Sequence, residues 1–165
     1  MSFFLRKVRF NKWLRTEECP WLAEGELQAD SLVDLHTNNN ALSVWQINDN
    51  HSNLERVIAA LAANCYHIQN VDYIIFDQKM LSEIGVRVEK TEGNTHDRDA
   101  NTSWHYDFKN LSAQKLVKLA TMTMNNDEVP IRSPKKKIIQ MVKIFVESGL
   151  IDRGKLSEGV IKEIS

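Results

Sequence analysis

The sequence predicts a fold of the α/β or α+β class, with a small central sheet of three to four or more strands. Two short runs rich in β-branched and aromatic residues, at 42–47 and 71–76, are typical of strands. Residues 52–65, between them, carry apolar side chains at helical spacing. A length of 165 residues, of which 42% are hydrophobic and 26% charged, suits a globular domain that buries its own core.

The strand–helix–strand unit at 42–76 is the segment around which we expect the chain to pack. The apolar stripe of its helix consists of Leu54, Val57, Ile58, Leu61, Ala62 and Cys65. Ser52 followed by Glu55 predicts a capping box at the helix start. If the two strands are parallel neighbours, their crossover is right-handed. The continuous apolar end of the second strand predicts a position buried on both faces of the sheet.

Composition limits the function classes. The net charge of −1 argues against general affinity for nucleic acids or membranes, although a local charged patch is still compatible with it. The two cysteines, Cys19 and Cys65, lack metal-type spacing. No signal peptide is predicted, and no apolar run approaches the roughly 20 residues of a membrane span. We therefore expect a cytoplasmic protein without membrane contact and without a cofactor.

The N-terminal part, which begins with a predicted strand at 3–10, segregates its charges. Basic residues come first, at Arg6, Lys7, Arg9, Lys12 and Arg15. Acidic residues follow without a base, at Glu17, Glu18, Glu24, Glu26, Asp30 and Asp34. The basic side chains could contact the phosphate backbone of a nucleic acid, and the aromatic rings near them could stack on its nucleobases. Alternatively, the basic strand lies beside the acidic segment and the two neutralise each other. Trp13 and Trp21 are predicted to be packing anchors.

A short helix and a strand are predicted after the central unit. Asp77 is a suitable N-cap and Gly85 a suitable C-terminal residue for a helix at 78–84. The alternating residues 86–91 predict a strand with one solvated face.

The C-terminal part is predicted to be helical. Ser112 opens one helix, and a second has Ser133 as its N-cap and Pro134 at its first position and precedes Gly149. Gly154 and Ser157 precede a last short helix, which is expected at 158–164.

These signals divide the chain into an α/β core at 1–130, which includes the N-terminal strand, and a C-terminal helical segment at 131–165 packed on the same domain. The core contains a long polar loop at 92–107, and loops of that length are often functional. This loop holds the candidate catalytic residues of an enzyme: His96, Asp97, Asp99, His105 and Asp107. Four of them could hold a divalent cation: His96, Asp97, His105 and Asp107. No known ligand spacing is matched, so a solvated loop with no metal is the alternative.

A second candidate site is basic. The first turn of the penultimate helix contains three lysines, whose positive charges are unfavourable at the positive end of the helix dipole. A residue choice that is locally unfavourable in this way can indicate function. The predicted partner- or anion-binding residues are Arg6, Arg9, Lys12, Arg132, Lys135, Lys136 and Lys137. Exposed, well-solvated lysines without a ligand are the alternative.

Three functional hypotheses follow. The sequence contains no nucleophile elbow, zinc-protease motif, phosphate-binding loop or dinucleotide-binding glycines. The first hypothesis is therefore a cytoplasmic protein–protein interaction or regulatory module, an accessory or neutralising partner of a larger effector, whose partner is another protein. The second is a metal-assisted hydrolase or nuclease that uses the 96–107 loop. The third is a nucleic-acid-binding protein that uses the N-terminal basic strand and the cluster Lys135–Lys137. The oligomeric state is left open.

Overall fold

A computed structural model describes residues 2–126 and 128–165, and in it the chain adopts an α+β fold. The strands are β1 (Phe3–Val8), β2 (Leu42–Ile47), β3 (Val71–Asp77), β4 (Arg87–Lys90), β5 (His105–Lys109) and β6 (Ile131–Ser133). The helices are α1 (Ser31–Asp34), α2 (Leu54–Ala63), α3 (Gln78–Ile84), α4 (Arg98–Trp104), α5 (Ala113–Met124), α6 (Lys135–Glu147) and α7 (Glu158–Ile164). Short 3-10 turns lie at Phe10–Lys12 and Arg153–Lys155.

The six strands form one sheet in the order β4-β5-β2-β1-β3-β6, and every neighbouring pair is antiparallel. The predicted strand–helix–strand unit is present as β2, α2 and β3, but its strands are not neighbours. The N-terminal strand β1 lies between them and pairs with both. β2 and β3 are therefore parallel to each other across an inserted antiparallel strand.

Helices cover both faces of the sheet. Leu5 of β1 belongs to a core cluster built with α2, α6 and α7, whereas Phe4 and Val8 belong to a second cluster built with α3 and α5. β3 contributes Tyr73 to the first cluster and Phe76 to the second. The prediction that β3 is buried on both faces is confirmed, because alternate side chains of a strand point to opposite faces.

Several helix boundaries agree with the capping signals in the sequence. The Asp77 carboxylate accepts a hydrogen bond from the Met80 amide, 2.7 Å away, and Gly85 ends α3 in the left-handed region at φ +72°. Ser112 caps α5, and Ser157 caps α7. These ends depend on residues close in sequence, so the sequence could predict them.

Two predicted caps are wrong. α2 begins after Asn53, and the Ser52 hydroxyl accepts a hydrogen bond from the Asn48 side-chain amide. Asn53 itself binds the Asn48 amide at 2.8 Å and ties down the loop after β2. Ser133 is the last residue of β6, and Pro134 is the N-cap of α6. Pairing with β3 therefore overrides the local cap signal at Ser133.

The long polar loop predicted at 92–107 is also wrong. Most of this segment is ordered secondary structure, since it contains α4 and the first residues of β5. Only Ala100 and Trp104 of α4 contribute to the core, so the helix has no apolar periodicity to reveal it.

The C-terminal residues share the core of the preceding chain. β6 pairs with β3, α6 packs against α2 and α7, and Val160 and Ile164 of α7 are buried with Leu5 in one cluster. In the described part of the chain, no helix has the length and apolar character needed to cross a membrane.

Candidate functional site

Asp97 and Asp99, from the candidate catalytic set, bind Arg56 of α2. The fully buried Asp97 carboxylate accepts two hydrogen bonds from the Arg56 guanidinium, at 2.6 and 2.7 Å, and a third from the Ala100 amide at the start of α4. Asp99 lies 3.4 Å from the same guanidinium, which also stacks over Trp104. The hydrogen bond that Arg56 donates to Asp97 raises the pKa of Arg56, and burial opposes this effect. Both carboxylates therefore hold α4 against α2.

His105 and Asp107 lie on one face of β5 and have separate partners. The His105 Nδ1 atom is 2.9 Å from the Thr91 hydroxyl, and its ring packs edge-on against Trp45. Burial lowers the pKa of His105, although Asp107 opposes this effect. The Asp107 carboxylate accepts hydrogen bonds from Ser43 and Lys109, each at 3.0 Å. Burial works to raise the pKa of Asp107, but these two hydrogen bonds lower it overall.

His96 lies near the loop after α6. Its carbonyl accepts a hydrogen bond from the Asp152 amide at 3.0 Å, and burial, with Lys155 nearby, lowers the pKa of its ring. Within residues 2–126 and 128–165, no group of three or more His, Cys, Asp or Glu side chains is arranged to hold a metal ion. The five predicted residues thus serve different contacts, and they are not brought together as the hydrolase hypothesis requires.

The N-terminal members of the basic set are paired with the acidic segment. The Arg6 guanidinium donates to the backbone carbonyls of Asp34 and Ser43, at 3.0 and 2.8 Å, on the α5 side of the sheet. Asp34 accepts hydrogen bonds from the Arg9 side chain at 2.7 Å and from the Trp13 indole at 3.0 Å, and Lys12 pairs with Asp30. This is the neutralisation that the sequence suggests as the alternative to nucleic-acid binding.

The C-terminal members of the set also have carboxylate partners, with one exception. Arg132 makes two hydrogen bonds to Asp72, at 2.6 and 3.1 Å, and its guanidinium stacks over the Phe10 ring. Glu163 of α7 and Glu55 of α2 pair with the first and third lysines of α6. These carboxylates offset the unfavourable placement of cations at a helix N-terminus. Lys136, between the two paired lysines, is exposed and has no ion pair with any described residue.

Part of the basic set lines a continuous depression, which we call the basic groove. It joins two adjoining cavities of about 430 and 310 Å³ that share Gln69, Asn70, Asp72 and Arg132. Its basic side chains are Lys7, Arg9, Arg132 and Lys135. β1 and β6 thus bring bases from both ends of the chain to opposite sides of β3.

A second depression, which we call the Trp21 groove, is apolar. It measures about 480 Å³, lies between α5 and the irregular segment before α1, and is lined by Trp21, Leu22, Leu27, Leu32 and Val117 among others. Trp21 is 70% exposed, so its predicted role as a packing anchor is wrong, whereas Trp13 is buried as predicted. Val117 of α5 is also exposed, at 45%.

The Trp21 groove opens into an acidic hollow. This hollow, of about 330 Å³, shares Gly25, Glu26 and Thr121 with the groove and is further lined by Glu17 and Glu24. Glu26 accepts a hydrogen bond from the Ala23 amide at 2.9 Å. Glu17 and Glu24 make no ion pair with the residues that the structure describes. The hollow also contains Arg15, whose guanidinium binds the Asn126 carbonyl.

Comparisons with protein-family models, with curated proteins and with solved structures find no match to this chain. The two grooves are therefore the features of this molecule that bear on its function.

No sequence signal indicates the residues of either groove. Trp21 is visible in the sequence, but no periodicity shows whether an aromatic ring in an irregular segment faces inward or outward. Gln69 and Asn70 lie in the turn between α2 and β3, which carries no motif. Proximity in space, which only the fold provides, makes them neighbours of Arg132.

Proposed function

We propose that this protein is a protein–protein interaction module whose docking surface is the Trp21 groove. The observation that carries the proposal is a tryptophan 70% exposed at an apolar groove that opens into a hollow with three glutamates. Large exposed apolar side chains at a groove are typical of binding sites, and tryptophan is enriched among the residues that dominate binding energy.

The charge around the groove supports a basic partner. The hollow is lined by three glutamates, Glu17, Glu24 and Glu26, and by one arginine, Arg15. The Arg15 guanidinium already binds the Asn126 carbonyl. A ligand segment with one or two bulky apolar side chains and flanking Lys or Arg would fill the groove and pair with the glutamates. The proposed occupant is therefore a basic, amphipathic segment of another protein.

Two broader parts of the proposal rest on the sequence. An accessory or neutralising role towards a larger effector suits a module whose described residues bring no set of catalytic side chains together. A cytoplasmic location is consistent with Cys19 and Cys65, which are both free thiols.

Selection from a random peptide library displayed on phage tests this function without a known partner. We expect enrichment of peptides that combine bulky apolar residues with Lys or Arg. For a synthetic peptide from that selection, Trp21→Ala should weaken binding about tenfold or more, because it removes the main apolar contact. The double variant Glu17→Gln/Glu24→Gln should weaken binding less and reduce its dependence on salt.

Ile144→Ala is the matched control, because Ile144 is 60% exposed on α6 and does not line the Trp21 groove. Its affinity for the peptide should equal that of the unmodified protein. Enrichment of acidic peptides, or an affinity that Trp21→Ala leaves unchanged, would contradict the proposed function.

A further inference from the structure

The basic groove has a different ligand. We propose that it binds single-stranded nucleic acid, with its basic side chains on the phosphodiester backbone and the exposed ring of Tyr66 stacked on a base. The basic groove and the Trp21 groove share no lining residue, so the two ligands bind at separate places.

The first observation is the layering of charge. The three ion pairs of the groove place their carboxylates inside, with exposed side-chain fractions of 6% for Asp34, 11% for Asp72 and 20% for Glu163. Their basic partners are 55%, 46% and 47% exposed. The carboxylates therefore hold the bases in place while the unused N–H donors of the guanidinium and ammonium groups face solvent, where phosphate oxygens can accept from them.

The second observation is a surplus of positive charge. Lys7 is exposed, and its ammonium donates to the Cys65 thiol, 3.5 Å away, without an ion pair among the described residues. Lys136, the residue after Lys135 of the groove, is exposed and likewise has no ion pair with a described residue. The first amide of α6 is already occupied by the Asn70 side-chain oxygen at 2.8 Å, so the lysine and arginine side chains carry the attraction. The groove binds anions through this modest surplus, and the binding is sensitive to salt.

The third observation is an aromatic platform, the exposed ring of Tyr66, on a turn that contacts two of the basic residues. The turn after α2 runs from Cys65, in contact with Lys7, to Asn70, in contact with Lys135. Between them, Tyr66 is 69% exposed and its ring meets the His67 ring at 4.8 Å and 90°. The Ser157 hydroxyl donates to the Tyr66 carbonyl at 2.6 Å, which holds the backbone while the ring faces solvent.

Proteins that bind single-stranded nucleic acid combine basic side chains along a groove with exposed aromatic rings. An acidic protein segment would pair with the basic side chains but would leave the Tyr66 ring without a stacking partner. The aromatic platform therefore favours nucleic acid, and an acidic polymer becomes a test of that choice.

Fluorescence anisotropy with labelled oligothymidylate or oligouridylate of about twelve nucleotides tests the proposal. We expect the dissociation constant to rise about tenfold between about 50 and about 200 mM salt, as for two to three neutralised phosphates. Tyr66→Ala should weaken binding about tenfold through the lost stacking. Lys7→Gln/Lys136→Gln should weaken it about fivefold and flatten the salt dependence.

The control variants are Lys143→Gln, which removes an exposed lysine in the second half of α6, away from the first turn that carries Lys135 and Lys136, and Trp21→Ala, which removes the exposed ring of the Trp21 groove. Both should bind the oligonucleotide as the unmodified protein does. No binding at the lower salt concentration would overturn the proposal. Equal competition by polyglutamate, an unchanged affinity after Tyr66→Ala, or tighter binding of a duplex would each overturn it too, because none is compatible with base stacking.

Discussion

Asp97 joins two helices through a carboxylate that is entirely buried. It caps α4 through the Ala100 amide and binds the Arg56 guanidinium of α2 through both oxygens. A buried carboxylate whose two oxygens already accept three hydrogen bonds is a structural group, because a metal ion or a substrate proton would have to compete with the arginine.

Asp97→Ala should therefore lower the free energy of unfolding by about 3–5 kcal/mol, the range for breaking a buried ion pair by removing one partner. Asp97→Asn should cost less, because the amide oxygen can still accept from Ala100. Asp99→Asn is the control, since the Asp99 side chain is 73% exposed, and exposed pairs contribute about 0–1 kcal/mol. Urea unfolding measures all three. Equal losses for Asp97→Ala and Asp99→Asn would contradict this account.

His105 makes the stability of the fold depend on pH. Burial lowers its pKa in the folded protein below the ordinary value of 6.5, so the unfolded chain takes up the proton more readily. The stabilisation that the neutral His105 ring provides is complete above pH 6.5, the ordinary pKa of histidine, and is lost as the pH falls through the pKa of His105 in the folded protein. Asp107, which favours the protonated ring, and Arg6 and Lys109, which disfavour it, only modify this effect.

We expect the free energy of unfolding, measured in urea, to fall between about pH 7.5 and about pH 5.5. His105→Asn should make this fall smaller, because asparagine can keep a hydrogen bond to Thr91 without titrating. His36→Asn provides a comparison on a histidine outside the two core clusters. An identical pH dependence for His105→Asn and the unmodified protein would show that burial of this ring is not the cause.

At the scale of elements, α7 supports the turn that carries Tyr66. A Cβ atom at Gly159 would lie 2.4 Å from the Tyr66 carbonyl oxygen and 2.5 Å from the His67 ring nitrogen. Only glycine allows α7 to approach this turn so closely, because real Cβ atoms do not come so near to backbone. The helix and the aromatic platform of the basic groove are therefore packed as one unit.

Gly159→Ala should destabilise the protein by about 1–3 kcal/mol, despite the better helix propensity of alanine, since the nearest clash is with backbone. Gly154→Ala is the control, because its Cβ would meet only the Asp152 side chain, at 3.3 Å. Thermal unfolding compares the two variants. A stability gain for Gly159→Ala would mean that the turn after α2 moves freely away from α7.

At the scale of the whole molecule, the grooves form one chain of depressions around the surface. A further cavity of about 380 Å³ shares Phe10 with the basic groove and shares Arg15 and Glu17 with the acidic hollow. One end of this path is basic and the other end is acidic and apolar. Asp30 and Asp34 pair with the N-terminal bases, whereas Glu17, Glu24 and Glu26 line the acidic hollow. Part of the segregated N-terminal charge thus lies on two surfaces of opposite sign, and the net charge of −1 conceals both.

This arrangement lets the two proposals be tested against each other. Trp21→Ala should affect the peptide and leave the oligonucleotide unaffected, whereas Tyr66→Ala should do the reverse. Loss of both ligands in one variant would point to a defect of the fold, which circular dichroism would show.

The sequence by itself determined the class of fold and the elements with local signals. Asp77, Gly85, Ser112 and Ser157 mark helix ends through contacts within a few residues, and the apolar runs of β2 and β3 identify them as strands. Such features depend on periodicity and caps, which a single segment contains in full.

Only the tertiary structure decided the strand order, the partners of the charged residues and the position of the grooves. β1 lies between β2 and β3, Asp97 meets Arg56 from 41 residues away, and Lys7 and Lys135 reach one groove from opposite ends of the chain. The polar residues of α4 formed a helix because Asp97 and Arg56 hold it in place. These contacts join distant segments, and their free energies depend on burial that no local pattern records.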